Sequence, residues 1–340
     1  MNEGAPVTER VLPGGVATGI GSLPGVDVDE AVRRVFGELP DFPHLPELPA
    51  RGPGAELVGR GAALLVDLPV QLYAGRWQTA SKKGVDLRRS IDFLERDRDT
   101  LTDVVSDHDG FFKVSAAGPW TLSAALQRRT GGAMLRDRGA VADLTDSLAE
   151  GLARYVDDVS ARLPRARVVL QLDEPSLVAV LTGGIPTESG FSRYPAVERS
   201  VVREHLSRII ATVGVPVVVH CCAQAVPVTL LHEAGAEGVA LDMSLLDLDS
   251  PTSMDPLGEL LDGGFTLFAG AAETRPEQDE PTGRGVADVV ETAWRRWGLE
   301  PDRRRDQVVV TPACGMSDLT WPRARATMAA CVEAAHRIRD

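Results

Sequence analysis

The chain has 340 residues, with 36 Lys and Arg against 49 Asp and Glu, a formal net charge of −13 and a sequence pI near 5.0. This acidic balance argues against a nucleic-acid-binding protein, which would present a basic face. No apolar run reaches the roughly 18 residues needed to cross a bilayer. The length suits a single α/β barrel of roughly 250 residues with inserted loops.

The first residues, MNEGAPVTER, contain no apolar stretch typical of a signal peptide, so we expect a cytoplasmic protein. Residues 1–13 are predicted to be a flexible N-terminus. GGVATGIGSLPG, residues 14–25, predicts a short strand that opens into a glycine-rich loop, and Asp27 or Asp29 can cap the helix that follows. The glycines fit a tight turn, or a loop whose backbone amides approach a ligand.

Residues 38–54, ELPDFPHLPELPARGPG, are too rich in proline for a regular helix or an inner strand. They predict an ordered loop near the barrel mouth. His44, Glu47 and Arg51 are its polar residues. A structural or solvated role is the favoured interpretation for each, and Glu47 is kept as a candidate for substrate binding.

Two further strands are predicted to end at the same mouth. FFKVSAAGPWTL, residues 111–122, ends in small residues, and Trp120 belongs either to the core or to the mouth. RVVLQLDEPSL, residues 167–177, ends in two adjacent carboxylates, which are costly to crowd together unless a cation meets them. We interpret Glu174 as a cap for the next segment and Asp173 as an anchor for a substrate ammonium group.

The strongest signal is VPVVVHCC, residues 215–222, whose apolar run predicts a strand buried in a parallel sheet. Side chains alternate along a strand, so His220 and Cys222 face one side and Cys221 faces the other. An imidazole and a thiol on one face are half of a tetrahedral zinc site.

Two other strand ends can supply the remaining ligands. VVVTPACG, residues 308–315, brings Cys314 after an apolar run, and GVALDMS, residues 238–244, ends near Asp242. Strands alternate with helices through the second half, which indicates a parallel sheet and a (β/α)8 barrel of TIM type as one domain over residues 1–340. The predicted strand ends lie near Ile20, Ala117, Asp173, Cys222, Asp242, Ala271 and Cys314.

ATGIGSLP, GPWTL, QLDEPSL, the His220–Cys222 pair and PACG together resemble the catalytic carboxyl-terminal barrel of cobalamin-independent methionine synthase, within the uroporphyrinogen-decarboxylase-like superfamily. The resemblance covers most of the chain and implies a single-barrel member.

The resemblance also implies roles for individual residues. It implies that zinc is held by His220, Cys222, Asp242 and Cys314, and that the metal binds homocysteine as a thiolate. It further implies that Asp173 holds the amino group of homocysteine, and that Ile20, Gly21 and Ser22 hold its carboxylate end.

Three features depart from that family's pattern. Asp242 stands where the family usually has glutamate, MSDLTW follows Cys314-Gly315 in place of a basic segment, and the chain is too short for a second, amino-terminal barrel. Whether the methyl donor is a folate or a corrinoid stays open.

The sequence therefore predicts a zinc-dependent thiol methyltransferase acting on homocysteine. One alternative is a related barrel enzyme with another thiol or a corrinoid donor, and another is a non-catalytic barrel stabilised by zinc. The expected partners are small molecules, with neither nucleic acid nor membrane, and the oligomeric state is left open.

Overall fold

The computed structural model describes residues 11–340, in which seven parallel strands form one curled sheet. In chain order the strands are β1 (Val16–Ala17), β2 (Val70–Tyr73), β3 (Arg76–Thr79), β4 (Phe111–Ala117), β5 (Arg167–Asp173), β6 (Val217–Cys221), β7 (Gly238–Asp242), β8 (Thr266–Ala272) and β9 (Val308–Pro312). The sheet has the order β1-β9-β8-β7-β6-β5-β4, while β2 and β3 form a separate antiparallel pair.

Helices flank the curled sheet. They are α1 (Val28–Glu38), α2 (Leu57–Ala63), α3 (Val85–Val105), α4 (Pro119–Ala125), α5 (Arg138–Arg162), α6 (Leu177–Thr182), α7 (Arg199–Val213), α8 (Val228–Glu233), α9 (Pro251–Asp262), α10 (Gly283–Trp297), α11 (Arg304–Gln307) and α12 (Trp321–Arg339). Within residues 11–340, no helix has both the length and the apolar character needed to span a membrane. The predicted α/β fold is confirmed: the half-barrel of parallel strands is consistent with a TIM-type barrel.

The proline-rich segment fills the gap between β1 and β4, the two edges of the sheet. Leu45 N donates to Lys113 O of β4 at 2.9 Å, and Glu47 N donates to Gly21 O beyond β1 at 3.0 Å. Residues 43–47 form isolated parallel bridges to both edges, but no regular strand. The segment therefore occupies the place of an eighth strand, although its prolines prevent a continuous ladder.

Two apolar cores lie on opposite faces of the sheet. The larger core packs the sheet against the helices, and a smaller one fills the barrel interior. The interior core consists of Leu12, Ile20, Phe42, Phe111, Val169, Val218, Ala240, Phe268 and Val309. Residues 1–10 of the predicted N-terminal segment lie outside the described residues.

The strand ends lie close to their predicted positions. The ends predicted at Ala117, Asp173 and Asp242 coincide with the observed ones, and those predicted at Cys222 and Ala271 differ by one residue. β1 and β9 end earlier than predicted, at Ala17 and Pro312, because the chain leaves the ladder before the glycine-containing loops that follow.

The β2–β3 hairpin was not predicted. Its two-residue turn is Ala74-Gly75, and both residues have positive φ, 49° and 77°. Such turns are usually signalled by Asn-Gly or Asp-Gly. Trp77 Nε1 of β3 donates to Glu56 Oε1 at 2.6 Å, which fixes the hairpin beside the start of α2.

A buried ion network anchors the proline-rich segment to α3. Arg51 makes a bidentate contact with Asp97, at 2.6 and 2.8 Å, and Arg60 Nη1 lies 2.5 Å from the same carboxylate. Arg60 Nε also lies 3.2 Å from Glu47 Oε1. Two guanidinium groups thus share the Asp97 carboxylate, and Glu47 is a second acidic partner for Arg60.

We predict that Asp97→Ala lowers the free energy of unfolding by about 3–5 kcal/mol, because it leaves two buried arginines without their shared carboxylate. Chemical denaturation measures the change. Asp92→Ala is the matched control, since Asp92 is an exposed acid on the same helix, and it should shift the value by no more than about 0.5 kcal/mol. Equal losses from both substitutions would contradict this role for Asp97.

Candidate metal centre and substrate pocket

Three soft donor groups meet at the carboxyl ends of β6 and β9. His220, Cys222 and Cys314 each offer one ligand atom, and these atoms lie within 4.8 Å of one another. The two Sγ atoms are 3.6 Å apart, with the Cys314 thiol donating to Cys222. The His220–Cys222 pair lies at the end of one apolar strand and Cys314 follows another, and the parallel sheet brings those two strand ends to one mouth.

Asp173 fixes the ring of His220. The Nδ1–H of His220 donates to Asp173 Oδ1 at 2.8 Å, while the buried Nε2 atom has no hydrogen-bond partner in the described part of the chain. Burial alone would lower the pKa of His220, but the contacts with Asp173 and Cys314 outweigh it and raise this pKa to about 9. A metal ion that binds at Nε2 would have to displace the proton that this raised pKa favours there, because only neutral imidazole is a ligand.

The two thiols have unequal acidity. The hydrogen bond from Cys314 lowers the pKa of Cys222, and the same bond together with burial raises the pKa of Cys314 to about 12. Cys221 is fully buried in the outer core, where burial raises its pKa to about 12. Cys221 therefore lies on the opposite side of the strand from the candidate ligands.

Asp242 is the last residue of β7, and its carboxylate accepts hydrogen bonds from the nearby Ser244. Its Oδ1 accepts hydrogen bonds from Ser244 N at 2.9 Å and from Ser244 Oγ at 2.6 Å, which caps the short 3-10 helix Met243–Leu245. Among residues 11–340, the group of potential ligand atoms within 4.8 Å comprises His220, Cys222 and Cys314 and does not include Asp242.

A pocket of about 360 Å³ opens beside the three donor groups. Its walls include all the predicted substrate-binding residues, which are Ile20, Gly21, Ser22, Glu47 and Asp173. The glycine loop abuts the Cys314 loop so closely that a Cβ on Gly315 would lie 2.0 Å from Ser22 Oγ. A side chain at position 315 would therefore force the Ser22 hydroxyl into another orientation.

Two nearly buried carboxylates face this pocket. Glu47 and Asp173 are each 7% exposed. Burial raises the pKa of Glu47 and Arg60 opposes the rise, while the neighbouring charge of Asp173 adds to it. The mutual repulsion of the two acids is relieved by any cation that enters between them.

A chain of buried polar groups runs beneath the pocket, and sequence reasoning missed it. Lys113 Nζ donates to Gln171 Oε1 at 2.5 Å and to Ile20 O at 2.9 Å. Gln171 Nε2 donates to Asp173 Oδ1 at 2.7 Å and also to Ile20 O at 2.9 Å. Burial lowers the pKa of Lys113 to about 7, against the attraction of Asp173 and Glu47. A lysine in the apolar run FFKVSAA was the available signal.

Glu174 has a structural role that differs in detail from the predicted cap. Its carboxylate accepts from Trp120 N at 2.9 Å and from Thr121 N and Oγ1 at 2.7 Å, so it caps the preceding helix α4. Burial raises the pKa of Glu174 to about 7, although these hydrogen bonds oppose the rise. A Cβ on Gly118 would lie 2.4 Å from this carboxylate. The GPWTL and DEP motifs therefore pack directly against each other.

Functional groups at the carboxyl ends of barrel strands are typical of barrel enzymes. Over residues 16–337 the sequence matches the family described as "Cobalamin-independent synthase, Catalytic domain". The comparison with curated proteins finds no match.

Two solved structures are similar to this chain at 13% identity and a TM-score of 0.57 each. One is a B12-independent methionine synthase from Shewanella sp. W3-18-1 in complex with selenomethionine, with 96% of this chain and 98% of that chain covered. The other is a methyltransferase from Methanosarcina mazei, with 98% and 96% covered. At this identity the likeness concerns the fold.

The chain belongs to the cobalamin-independent synthase family, of which it is a catalytic domain. The resemblance found in the sequence motifs is thereby confirmed. The protein is a methyltransferase.

Proposed function

We propose that the protein transfers a methyl group to homocysteine and that the reaction depends on one zinc ion held by His220, Cys222 and Cys314. The observation that carries the proposal is the convergence of these three donors beside two buried carboxylates. One imidazole and two thiols are the donor types that zinc prefers.

The residues fit a zinc ion in two further respects. The buried Nε2 atom of His220 has no partner within the described residues, and its tautomer is fixed through Nδ1 by a carboxylate, as is typical of metal-binding histidines. Three protein ligands also leave one tetrahedral position for an incoming thiol, whereas four would make the site structural. Asp242, whose Oδ1 is engaged by Ser244, is not needed as a ligand in this assignment.

Zinc supplies one element of the chemistry, because coordination deprotonates the acceptor thiol and so makes it a nucleophile at neutral pH. The other contributions come from side chains and backbone. Asp173 and Glu47 bind the substrate ammonium, and the Gly21 amide with the Ser22 hydroxyl binds its carboxylate. The substrate is thus held at its sulfur, its ammonium group and its carboxylate. These three contacts orient the sulfur for in-line attack on a methyl group, a step that depends mainly on positioning.

The family assignment bears on the alternatives that the sequence left open. The family assignment supports a catalytic protein over a barrel that zinc merely stabilises. The family's description as cobalamin-independent also favours a folate over a corrinoid as methyl donor. A different thiol as acceptor is the remaining alternative, and it is distinguished by the second of the two predictions below.

The first prediction concerns the metal. The purified protein should bind about one zinc per chain, and Cys222→Ser or Cys314→Ser should remove most of it, because a soft thiolate is replaced by a poor ligand. Metal analysis after dialysis measures the content. Cys221→Ser is the matched control and should retain the zinc, because Cys221 is buried on the other side of the strand. Equal loss from all three variants would refute the assigned ligands.

The second prediction concerns the acceptor. Homocysteine should bind the zinc-loaded protein at least about tenfold more tightly than its deaminated analogue, a difference of about 1.4 kcal/mol. Asp173→Asn should abolish that preference and still bind one zinc per chain at saturating zinc, because the asparagine oxygen can still accept from His220 Nδ1. Calorimetry with both thiols measures the ratio. Similar affinities in the wild type would replace homocysteine with the broader class of zinc-activated thiols.

A further inference from the structure

Lys113 is a lysine with no exposed surface inside the barrel, below the substrate pocket. Its Nζ atom makes two hydrogen bonds, one to the Ile20 carbonyl and one to the Gln171 side chain. Burying an amine without function is expensive, and an apolar residue of similar volume would fill the space at lower cost. Lys113 also lies outside the set of groups to which the proposed reaction gives a role.

The lysine holds the oxygen end of the Gln171 amide, while two acceptors hold its NH2 end. An amine at this position donates and leaves Gln171 to accept, so the amide must present Oε1 to Lys113. Its NH2 group is then directed to Asp173 Oδ1 and to Ile20 O. Without the lysine the buried Oε1 atom loses its donor, so the side chain that donates to Asp173 is held at one end only.

The chain of contacts continues to the candidate metal ligand. Asp173 Oδ1 receives one hydrogen bond from Gln171 at 2.7 Å and one from His220 Nδ1 at 2.8 Å. The position of this oxygen therefore sets the orientation of the imidazole and the direction of its Nε2 lone pair. Lys113 acts on His220 through two intermediate side chains.

A second branch leads to the glycine loop. The Ile20 carbonyl accepts from Lys113 at 2.9 Å, from Gln171 at 2.9 Å and from Ser115 Oγ at 3.1 Å. In a planar trans peptide the N–H of the next residue points away from this carbonyl. Three donors that hold the Ile20 oxygen also hold the direction of the Gly21 amide, which we assigned to the substrate carboxylate.

We infer that Lys113 is a positioning residue that aligns the metal ligand His220, the ammonium anchor Asp173 and the Gly21 amide from a single buried point. The inference rests on the proposed function of the same site and extends it. A lysine that merely stabilised the core would affect unfolding but not the ligand preferences of the folded protein.

The experiment compares Lys113→Met, Gln171→Met and the double variant with the wild type. Two properties are measured: zinc affinity, by competition with a chelator, and the ratio of affinities for homocysteine and its deaminated analogue. We expect each single variant to lose about tenfold or more in zinc affinity, the range seen for partners of metal ligands, and to reduce the thiol ratio below about threefold. The double variant should lose little more than either single variant, since both act through one chain of contacts.

Thr311→Val is the matched control. Thr311 is also fully buried, and its hydroxyl has no hydrogen-bond partner in the described structure, so the substitution removes a polar atom without touching the chain of contacts. Both the zinc affinity and the thiol ratio should stay within about twofold of the wild-type values, because a substitution outside the chain of contacts should couple only weakly to the site.

The outcomes separate the two proposals. If the wild type binds zinc and prefers homocysteine but Lys113→Met retains both properties, the positioning role is wrong and the proposed function stands. Additive losses in the double variant would also overturn the role. If Lys113→Met does not fold, Gln171→Met decides, because it leaves Lys113 in contact with Ile20. A wild type that binds no zinc contradicts the proposed function itself.

Discussion

One oxygen atom, Oδ1 of Asp173, joins the parts of this site. It accepts from His220 on one side and from Gln171 on the other, so the candidate metal ligand and the buried polar chain share a fixed point. The adjacent Glu174 caps α4 and so holds the end of β5 in place. The geometry of the pocket depends on this pair of neighbouring acids, one facing the pocket and one facing the helix layer.

The acidic side chains around the pocket have cationic partners. Arg60 contacts both Glu47 and Asp97, and Asp173 accepts a hydrogen bond from His220. Such a set is stable only while each group keeps its partner, because an unpaired buried charge is costly. An amino acid substrate carries both signs and can enter between these groups without adding net charge.

The sequence was most informative where chemistry follows an apolar strand. Alternation along residues 215–222 was enough to separate Cys221 from His220 and Cys222, and parallel strands bring Cys314 to the same mouth. The sequence did not predict local hydrogen bonds, such as the one from Ser244 N by which Asp242 caps a short 3-10 helix. The sequence also did not predict that residues 43–47 form part of the barrel wall. Their prolines interrupt the pattern of a strand, and their pairing with both sheet edges depends on contacts with residues distant in the sequence. Lys113 shows that a charge inside an apolar run carries information.

X-ray absorption spectroscopy of the zinc-loaded protein, with and without homocysteine, tests the central claim most directly. We expect one nitrogen and two sulfur ligands from the protein, with Zn–S distances of about 2.3 Å, and a third sulfur when homocysteine is added. The added sulfur would show that the three-residue site keeps a position open for the acceptor thiol. A zinc site whose sulfur number does not change with homocysteine would contradict the account.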